Sequence, residues 1–139
     1  MTAESVFSLL NTIALAGWIL LAVLPGRRWV TDIVTSVAIP ALLAIVYVAL
    51  LVTTFGQAEG GFSSLAGVSS LFREPWVLLA GWVHYLAFDM LIGNWEVRDS
   101  RARAIPHLLV VPCLVLTFLF GPAGWLLYTV IRGARGKVA

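Results

Sequence analysis

Residues 5–24 read SVFSLLNTIALAGWILLAVL, a continuous apolar run without a charged side chain. A membrane-crossing α-helix needs about 20 predominantly apolar residues to cover the hydrocarbon core of a bilayer. Pro25 and Gly26 end the run, and Arg27 and Arg28 follow, where their guanidinium groups can meet lipid phosphates. This stretch therefore predicts a transmembrane helix and an integral, multi-pass membrane protein.

The composition of the whole chain agrees with this assignment. Of its 139 residues, 60% are hydrophobic and 12% are charged, whereas soluble domains carry about 25% charged residues. The net charge of +2 is small and lies beside apolar segments, so it does not indicate nucleic-acid binding. The length fits one domain, and the single cysteine, Cys113, excludes an intrachain disulfide.

Three further apolar segments extend the pattern. Together they predict an all-α, polytopic membrane protein: a single domain, residues 1–139, that forms a compact bundle of about four transmembrane helices. Pro40 predicts a kink within the second segment, and GPAG at residues 121–124 could turn the chain within the fourth. The predicted spans are residues 5–24, 33–55, 76–95 and 107–131.

The segments outside the predicted spans differ in character. Residues 56–75 combine glycines and serines with apolar residues at helical spacing, which predicts a short interfacial helix. Residues 96–104 carry charges of both signs and predict a solvated loop, although its arginines could instead bind an anionic ligand. The N-terminus lacks the basic start of a secretory signal or a transit peptide, so we expect the first helix to be retained.

Four spans would leave the cationic residues almost balanced between the two membrane surfaces. The positive-inside rule needs a clearer difference to set the orientation, although the first hairpin alone favours an external N-terminus. One surface would carry Arg27, Arg28, Arg98, Arg101 and Arg103, and the other Arg73, Arg132, Arg135 and Lys137.

Asp89 is the clearest anomaly of the sequence, because it lies well inside the third apolar span. An ionised carboxylate at the centre of a membrane helix costs roughly 2.5–3.5 kcal/mol on insertion scales. Such residues face a bundle interior, a partner group or a water-filled cavity, and they often mark functional sites. We therefore predict that Asp89 binds or acts as an acid; the alternative is a hydrogen-bonded or arginine-paired structural anchor.

Helical spacing places other residues on the Asp89 face of this span. Gly93 would let a helix or a ligand approach that face closely, whereas His84 lies about 140° around the helix from Asp89. The tryptophans mostly suit an interfacial belt, but Trp82, Tyr85 and Phe88 could instead line a cleft for a long, flat apolar ligand. The stripe contains Trp82, Tyr85, Asp89, Gly93 and Glu96.

A metal site is a weaker interpretation of the same region. The sequence lacks the Glu-x-x-His pairs or the histidine cluster of a dedicated transition-metal site, so we expect no bound metal. It also lacks a Walker loop, a dinucleotide-binding glycine-rich turn and a nucleophile elbow. The potential nitrogen and oxygen ligands are His84, Asp89, Glu96, Asp99 and His107.

The second half of the sequence resembles a known family. HYLAFD at residues 84–89, with Gly93-x-Trp95, Asp99-Ser100 and Pro106-His107 after it, looks like the central motif of the abscisic-acid-deficiency, neoxanthin-synthase-like membrane proteins. Pro112-Cys113-Leu114, Thr117 and Gly121-Pro122-x-Gly124-x-Leu126-x-Tyr128 resemble the next block of that family. The resemblance covers about residues 81–128, and the first two spans match in hydrophobicity and placement.

The resemblance implies a carotenoid-related isomerase or a factor that such an enzyme needs, because plant members are associated with converting violaxanthin into neoxanthin. Many members look bacterial, so we expect the bacterial inner membrane instead of a plastid membrane. Opening an epoxide to an allenic alcohol needs an acid and a base but no redox cofactor. We predict Asp89 as the acid and His84 or His107 as the base, in a water-poor site.

The expected partners are membrane lipid, a hydrophobic small molecule (a carotenoid or another isoprenoid) and a second copy of the chain. Oligomerisation is plausible because so few helices enclose little space for a large ligand. We expect no cofactor, and the alternative functions are a small proton-coupled transporter subunit and a non-catalytic assembly factor for a membrane enzyme. The predicted ligand-binding residues are Trp82, Tyr85, Phe88, Gly93, Trp95, Glu96, Asp99 and Arg101.

Overall fold

The computed structural model describes residues 1–54 and 56–135, which form six helices and no β-strand. The predicted all-α fold is therefore confirmed. Phe55, the predicted end of the second span, and Lys137 lie outside the described residues. The helices are α1 (Ala3–Val23), α2 (Val30–Thr54), α3 (Leu65–Leu71), α4 (Pro75–Ala102), α5 (His107–Phe120) and α6 (Pro122–Arg135).

Three of the described helices, α1, α2 and α4, are long and apolar enough to cross a membrane. Their lengths are 21, 25 and 28 residues. Large apolar side chains on their outer faces are left uncovered by protein; on α2, for example, Ile45 is 68% and Val52 is 76% exposed. Such contiguous apolar surface needs lipid around it, which accounts for the composition of the chain.

The second span, α2, begins with a wider winding than the other helices. Residues Val30–Ala38 are π-helical, and residues Ile39–Thr54 are α-helical. The hydroxyl of Thr35 donates to the carbonyl of Val30 at 2.8 Å and lies 2.9 Å from the side-chain oxygen of Asn94 on α4. The helix continues through Pro40 without a break, and the change in winding lies directly before that residue. The kink expected at Pro40 stays a prediction.

The segment between α2 and α4 contains the short helix that the sequence predicts. Ser64 caps α3 by accepting a hydrogen bond from the Gly67 N–H at 3.0 Å. No residue of α3 is buried, and Phe62 and Leu65 are largely exposed. These exposed apolar side chains fit the predicted position on the membrane surface.

The charged segment at residues 96–104 is not the loop that its composition suggests, because α4 continues to Ala102. Glu96 is fully buried, and Asp99 pairs with Arg103 one turn later, with 3.1 Å between Oδ2 and Nε. Pairs of opposite charge four residues apart stabilise a helix. The loop prediction was wrong because these charges interact within the protein.

The predicted fourth span, residues 107–131, is divided into two helices. The chain turns at Gly121, whose φ of 44° lies in the left-handed region that favours glycine, as the interruption at GPAG indicates. The 14 residues of α5 extend about 21 Å, which is too short for a hydrocarbon core of about 30 Å. Helix α6 then packs back along α5 so closely that a Cβ at Gly124 would overlap Thr117.

Contacts with the neighbouring helices show how deep this α5–α6 hairpin reaches. Its turn lies at Asp89, the midpoint of α4, where a Cβ at Gly121 would lie 3.0 Å from Oδ1. At one end, His107 Nε2 lies 2.8 Å from the carbonyl of Ala22 in α1. At the other, Arg132 pairs with an acid in the last turn of α4. Both ends of the hairpin therefore lie at the same end of the bundle.

We call this end of the bundle, where α1 and α4 finish, the charged end. It contains the α1–α2 connection, the last turn of α4 and both ends of the hairpin. The near balance of charges expected for four spans is therefore wrong for the described residues, since the opposite end holds Arg73 alone. The charged end holds Arg27, Arg28, Arg98, Arg101, Arg103, Arg132 and Arg135.

Candidate functional site

Asp89 lies at the point where the α5–α6 hairpin ends. Its Oδ1 faces the backbone of Gly121, whereas its Oδ2 is buried and has no hydrogen-bond partner among the described residues. The ion pairs of the described chain involve Asp32 and Asp99 but not Asp89. A carboxyl without a cation is costly within a membrane unless it carries a proton, so Asp89 is a candidate proton donor.

The first half of α4 is not covered by the hairpin. Leu78 is 54% and Trp82 is 40% exposed there. The Trp82 ring centroid lies 5.6 Å from that of Phe7 on α1 and 5.3 Å from that of Tyr85. We call the surface formed by Phe7, Leu78, Trp82 and Tyr85 the aromatic groove. Its outer part encloses about 260 Å³ between α1 and α4.

Hydrogen bonds hold the two central rings of the aromatic groove in place. Trp82 Nε1 donates to Asn11 Oδ1 at 3.0 Å, and the Tyr85 hydroxyl donates to the carbonyl of Phe118, also at 3.0 Å. The second bond ties the groove to the last turn of α5. Because rigid aromatic rings bind apolar molecules with little loss of side-chain entropy, this surface suits an elongated apolar ligand with one end near Asp89.

The second half of α4 presents a closed, polar face to the hairpin. Glu96 is 0% exposed; its Oε1 accepts a hydrogen bond from the Thr117 hydroxyl at 2.9 Å. The other oxygen, Oε2, is buried without a partner in the described part of the chain. Nearer the charged end, Asp99 accepts a bond from the Tyr128 hydroxyl at 2.6 Å and pairs with Arg132 at 2.8 Å.

The structure does not bring the three predicted catalytic residues together. His84 lies on another face of α4, with ring centroids 5.4 Å from Tyr47 of α2 and 4.7 Å from Phe88. His107 begins α5, whereas Asp89 lies where α5 has ended, so about 20 Å of helix separates them. Their roles as bases stay predictions. Among the described residues, no group of three His, Cys, Asp or Glu side chains could hold a metal ion.

The predicted ligand-binding residues are divided between the aromatic groove and the covered half of α4. Trp82 and Tyr85 line the groove, whereas Phe88 lies beside His84 on the other face. The remaining residues contact other parts of the protein: Gly93 contacts Trp18, Trp95 contacts Tyr128, Glu96 contacts Thr117, Asp99 contacts Arg132, and Arg101 contacts the Pro25 carbonyl. The contact at Gly93 confirms the close approach predicted there.

Sequence reasoning did not assign Thr117, Tyr128 or Arg132 to the site. Thr117 offered a usable signal, because it is the one polar side chain of the apolar run VVPCLVLTFLF at residues 110–120. A hydroxyl in such a run needs a partner on a neighbouring helix. Tyr128 and Arg132 gave no comparable signal, since their partner Asp99 was expected in a solvated loop.

Comparison with known proteins gives one family match. A family model described as ABA DEFICIENT 4-like matches residues 5–128. The matched range contains the aromatic groove, Asp89, Glu96 and Thr117. No curated protein and no solved structure matches the chain.

Proposed function

Because this chain belongs to the ABA DEFICIENT 4-like family, we propose that it binds a carotenoid or another isoprenoid lipid from within the membrane and isomerises it. The resemblance carried by residues 81–128 is confirmed, and the match extends it over the first two spans. The observation that carries the proposal is the position of Asp89. Its carboxyl has no ion pair among the described residues and has one buried oxygen without a partner there, and it lies one turn beyond Tyr85, the inner ring of the aromatic groove.

The groove accounts for the class of ligand. The α4 residues that line its cavity lie between Pro75 and Trp82. Tyr85 and Asp89 follow on α4, so the stretch from Pro75 to Asp89 covers about 21 Å of helix. The open side of the groove would face lipid, so a hydrophobic molecule can enter sideways without crossing water. The apolar body of the ligand would lie on Phe7 and Trp82, and its polar end group would meet Asp89 beside Tyr85.

The position of Asp89 accounts for the class of reaction. For an epoxide end group, Asp89 would give its proton to the epoxide oxygen as the carbon–oxygen bond breaks, and that proton stays in the product hydroxyl. A carbon-bound proton must then be lost for the new double bond to form. Neither histidine reaches this point, so the ionised Asp89 is the base in this proposal. One proton is given and one is taken, as an isomerisation requires.

The same geometry argues against the transporter alternative. Acidic residues line α4 only between Asp89 and the charged end. In the other direction, Tyr85, Trp82 and Leu78 form the surface next to Asp89, and the acid that lines the groove, Glu4, lies at its far outer end. A proton-coupled transporter would need access from both sides.

The proposal can be tested with purified protein in liposomes that contain violaxanthin as the probe. Conversion is followed by chromatography, and binding by quenching of tryptophan fluorescence. We expect Asp89→Asn to slow conversion by about 100-fold or more, the usual contribution of a positioned acid or base. The matched control is Asp32→Asn, which changes an exposed acid at the charged end and should leave conversion unchanged.

Two outcomes would contradict this proposal. If Asp89→Asn converts violaxanthin at the full rate, Asp89 is not the proton donor. Absence of both binding and conversion in the unsubstituted protein, together with a stable co-purifying membrane enzyme, would favour the assembly-factor alternative.

A further inference from the structure

Glu96 is a buried carboxyl that the proposed reaction leaves unused. The side chain is fully enclosed between α4 and the hairpin, and its one hydrogen bond among the described residues comes from Thr117. The ionisable groups that interact with it electrostatically are Asp89 on α4 and Cys113 on α5. Neither of these groups is a cation, so Glu96 is not part of a buried ion pair.

Glu96 and Asp89 face the same part of the hairpin. They are seven residues apart on α4, two helical turns or about 10 Å along the axis. On α5, Thr117 contacts Glu96, and Gly121 contacts Asp89. A single turn of α5 joins these positions, because the Gly121 N–H donates to the Thr117 carbonyl at 2.9 Å. Each acid also has one buried oxygen without a partner in the described chain.

Glu96, Asp99 and Arg132, which we call the polar row, lead from the buried part of α4 to water at the charged end. Asp99 follows one turn later, and its partner Arg132 has a side chain that is 34% exposed at the charged end. In the other direction, Tyr85, Trp82 and Leu78 lie next to Asp89, and Glu4 lies at the outer end of the aromatic groove. The polar row therefore offers Asp89 a path of ionisable side chains toward water at the charged end.

We propose that Glu96 relays protons between water at the charged end and Asp89, so that Asp89 is loaded from one membrane surface. In each step the carboxyl O–H bond of Glu96 breaks and a proton passes through intervening water to the Asp89 carboxylate. Glu96 then takes a proton from water at the Asp99 end. This inference rests on the proposed function for its purpose, since Asp89 is the acid to be loaded, but the exchange itself needs no substrate.

The test measures hydrogen–deuterium exchange at the Asp89 carboxyl in substrate-free protein. The full chain, labelled with ¹³C-aspartate, is reconstituted in liposomes and transferred to D₂O, and infrared spectroscopy follows the band that Asp89→Asn removes. Because a positioned side chain speeds proton transfer by about 100-fold or more, we expect Glu96→Gln to slow exchange at least about tenfold. Asp32→Asn is the matched control and should exchange like the unsubstituted protein.

A conservative variant separates relay from packing. Glu96→Asp keeps a titratable carboxyl on a shorter side chain, so we expect an exchange rate between those of the unsubstituted protein and Glu96→Gln. If Glu96→Gln does not fold, the slowing in Glu96→Asp relative to the unsubstituted protein supplies the comparison. Unchanged exchange in Glu96→Gln would overturn the relay, and so would equal slowing in both variants. Because the exchange experiment contains no carotenoid, its result can be interpreted even if the protein does not isomerise violaxanthin.

Discussion

The two halves of α4 have different surroundings although they belong to one continuous helix. Residues 75–89 leave the aromatic groove open between α1 and α4. Residues 89–102 are covered by the α5–α6 hairpin, which encloses Glu96 and contacts Asp99. The boundary between the open and the covered half is Asp89, next to the turn at Gly121.

This difference shows what a short hairpin can do that a full span cannot. A fourth helix of 20 residues or so would have covered α4 along its whole length and closed the groove. Because α5 ends at Phe120, level with the middle of α4, it leaves one face of the first half of that helix exposed, at Leu78 and Trp82. A carboxyl at this boundary can meet an apolar ligand on one side and a protein-enclosed polar row on the other.

The largest effect is expected at the boundary itself. Asp89→Asn keeps the shape of the side chain but removes the transferable proton, so conversion should fall by about 100-fold or more. The thermal unfolding temperature of the variant should be no lower than that of the unsubstituted protein, because Asp89 has no described ion pair to lose. A parallel loss of stability would instead favour the structural-anchor interpretation of Asp89.

Gly124→Ala tests the cover over the second half of α4. A Cβ at this position would overlap the backbone of Thr117 and the carbonyl of Cys113, so we expect a loss of about 1–3 kcal/mol in the free energy of unfolding. The control is Gly133→Ala in the same helix, where a Cβ meets nothing within 4 Å. Denaturant titration should show that Gly133→Ala is neutral or more stable by up to about 1 kcal/mol.

Trp82→Ala tests the open half. Loss of the central ring of the aromatic groove should weaken polyene binding about fivefold to tenfold, since an aromatic contact contributes about 1 kcal/mol beyond its buried area. Fluorescence quenching or co-sedimentation with liposomes would measure this change. The matched control is Phe88→Ala, which removes an aromatic ring from the face that carries His84. Equal weakening in both variants would show that the groove is not the binding surface.

The smallest effect is expected for His84→Ala. Its ring packs against Tyr47 and Phe88, away from the aromatic groove, so the rate of conversion should change by less than about twofold, whereas loss of a catalytic base costs about 100-fold. A loss of about 100-fold in the rate of conversion would support His84 as the base, and α4 would then have to rearrange to bring His84 to Asp89.

Sequence patterns predicted much of this molecule because apolar length and helix breakers are local signals. The runs around residues 5–24 and 33–55 indicated spans, and Gly121 marked the turn between α5 and α6. Asp89 stood out because a carboxylate is costly in an apolar span. Gly93 correctly indicated a close helix approach, which proved to be that of Trp18.

The features that sequence reasoning missed depend on contacts between distant segments. Residues 96–104 resembled a loop because the partners of their charges, Thr117 and Arg132, lie on helices that follow much later in the chain. Helical spacing already placed His84 about 140° from Asp89, and the structure has it on that other face. The distance of His107 from Asp89 depends on where α5 begins, which a local pattern does not show. The roles of both histidines as bases stay predictions. How far the α5–α6 hairpin reaches into the bundle is set by its contacts with α4, which a local pattern does not show. The apolar stretch of 25 residues at 107–131 was therefore predicted to form one span.

The α5–α6 hairpin returns to the charged end after reaching Asp89. Cysteine labelling tests this return most directly, with Ala102→Cys, Ala134→Cys and Ser63→Cys in a Cys113→Ala background, treated with a membrane-impermeant maleimide in intact bacterial cells. Because seven described arginines lie at the charged end, the positive-inside rule predicts that positions 102 and 134 face the cytoplasm when the protein is produced in bacteria. We expect both to be labelled only after lysis, and position 63 to be labelled in intact cells. Labelling of positions 102 and 134 from opposite sides would show a complete fourth span and contradict the account.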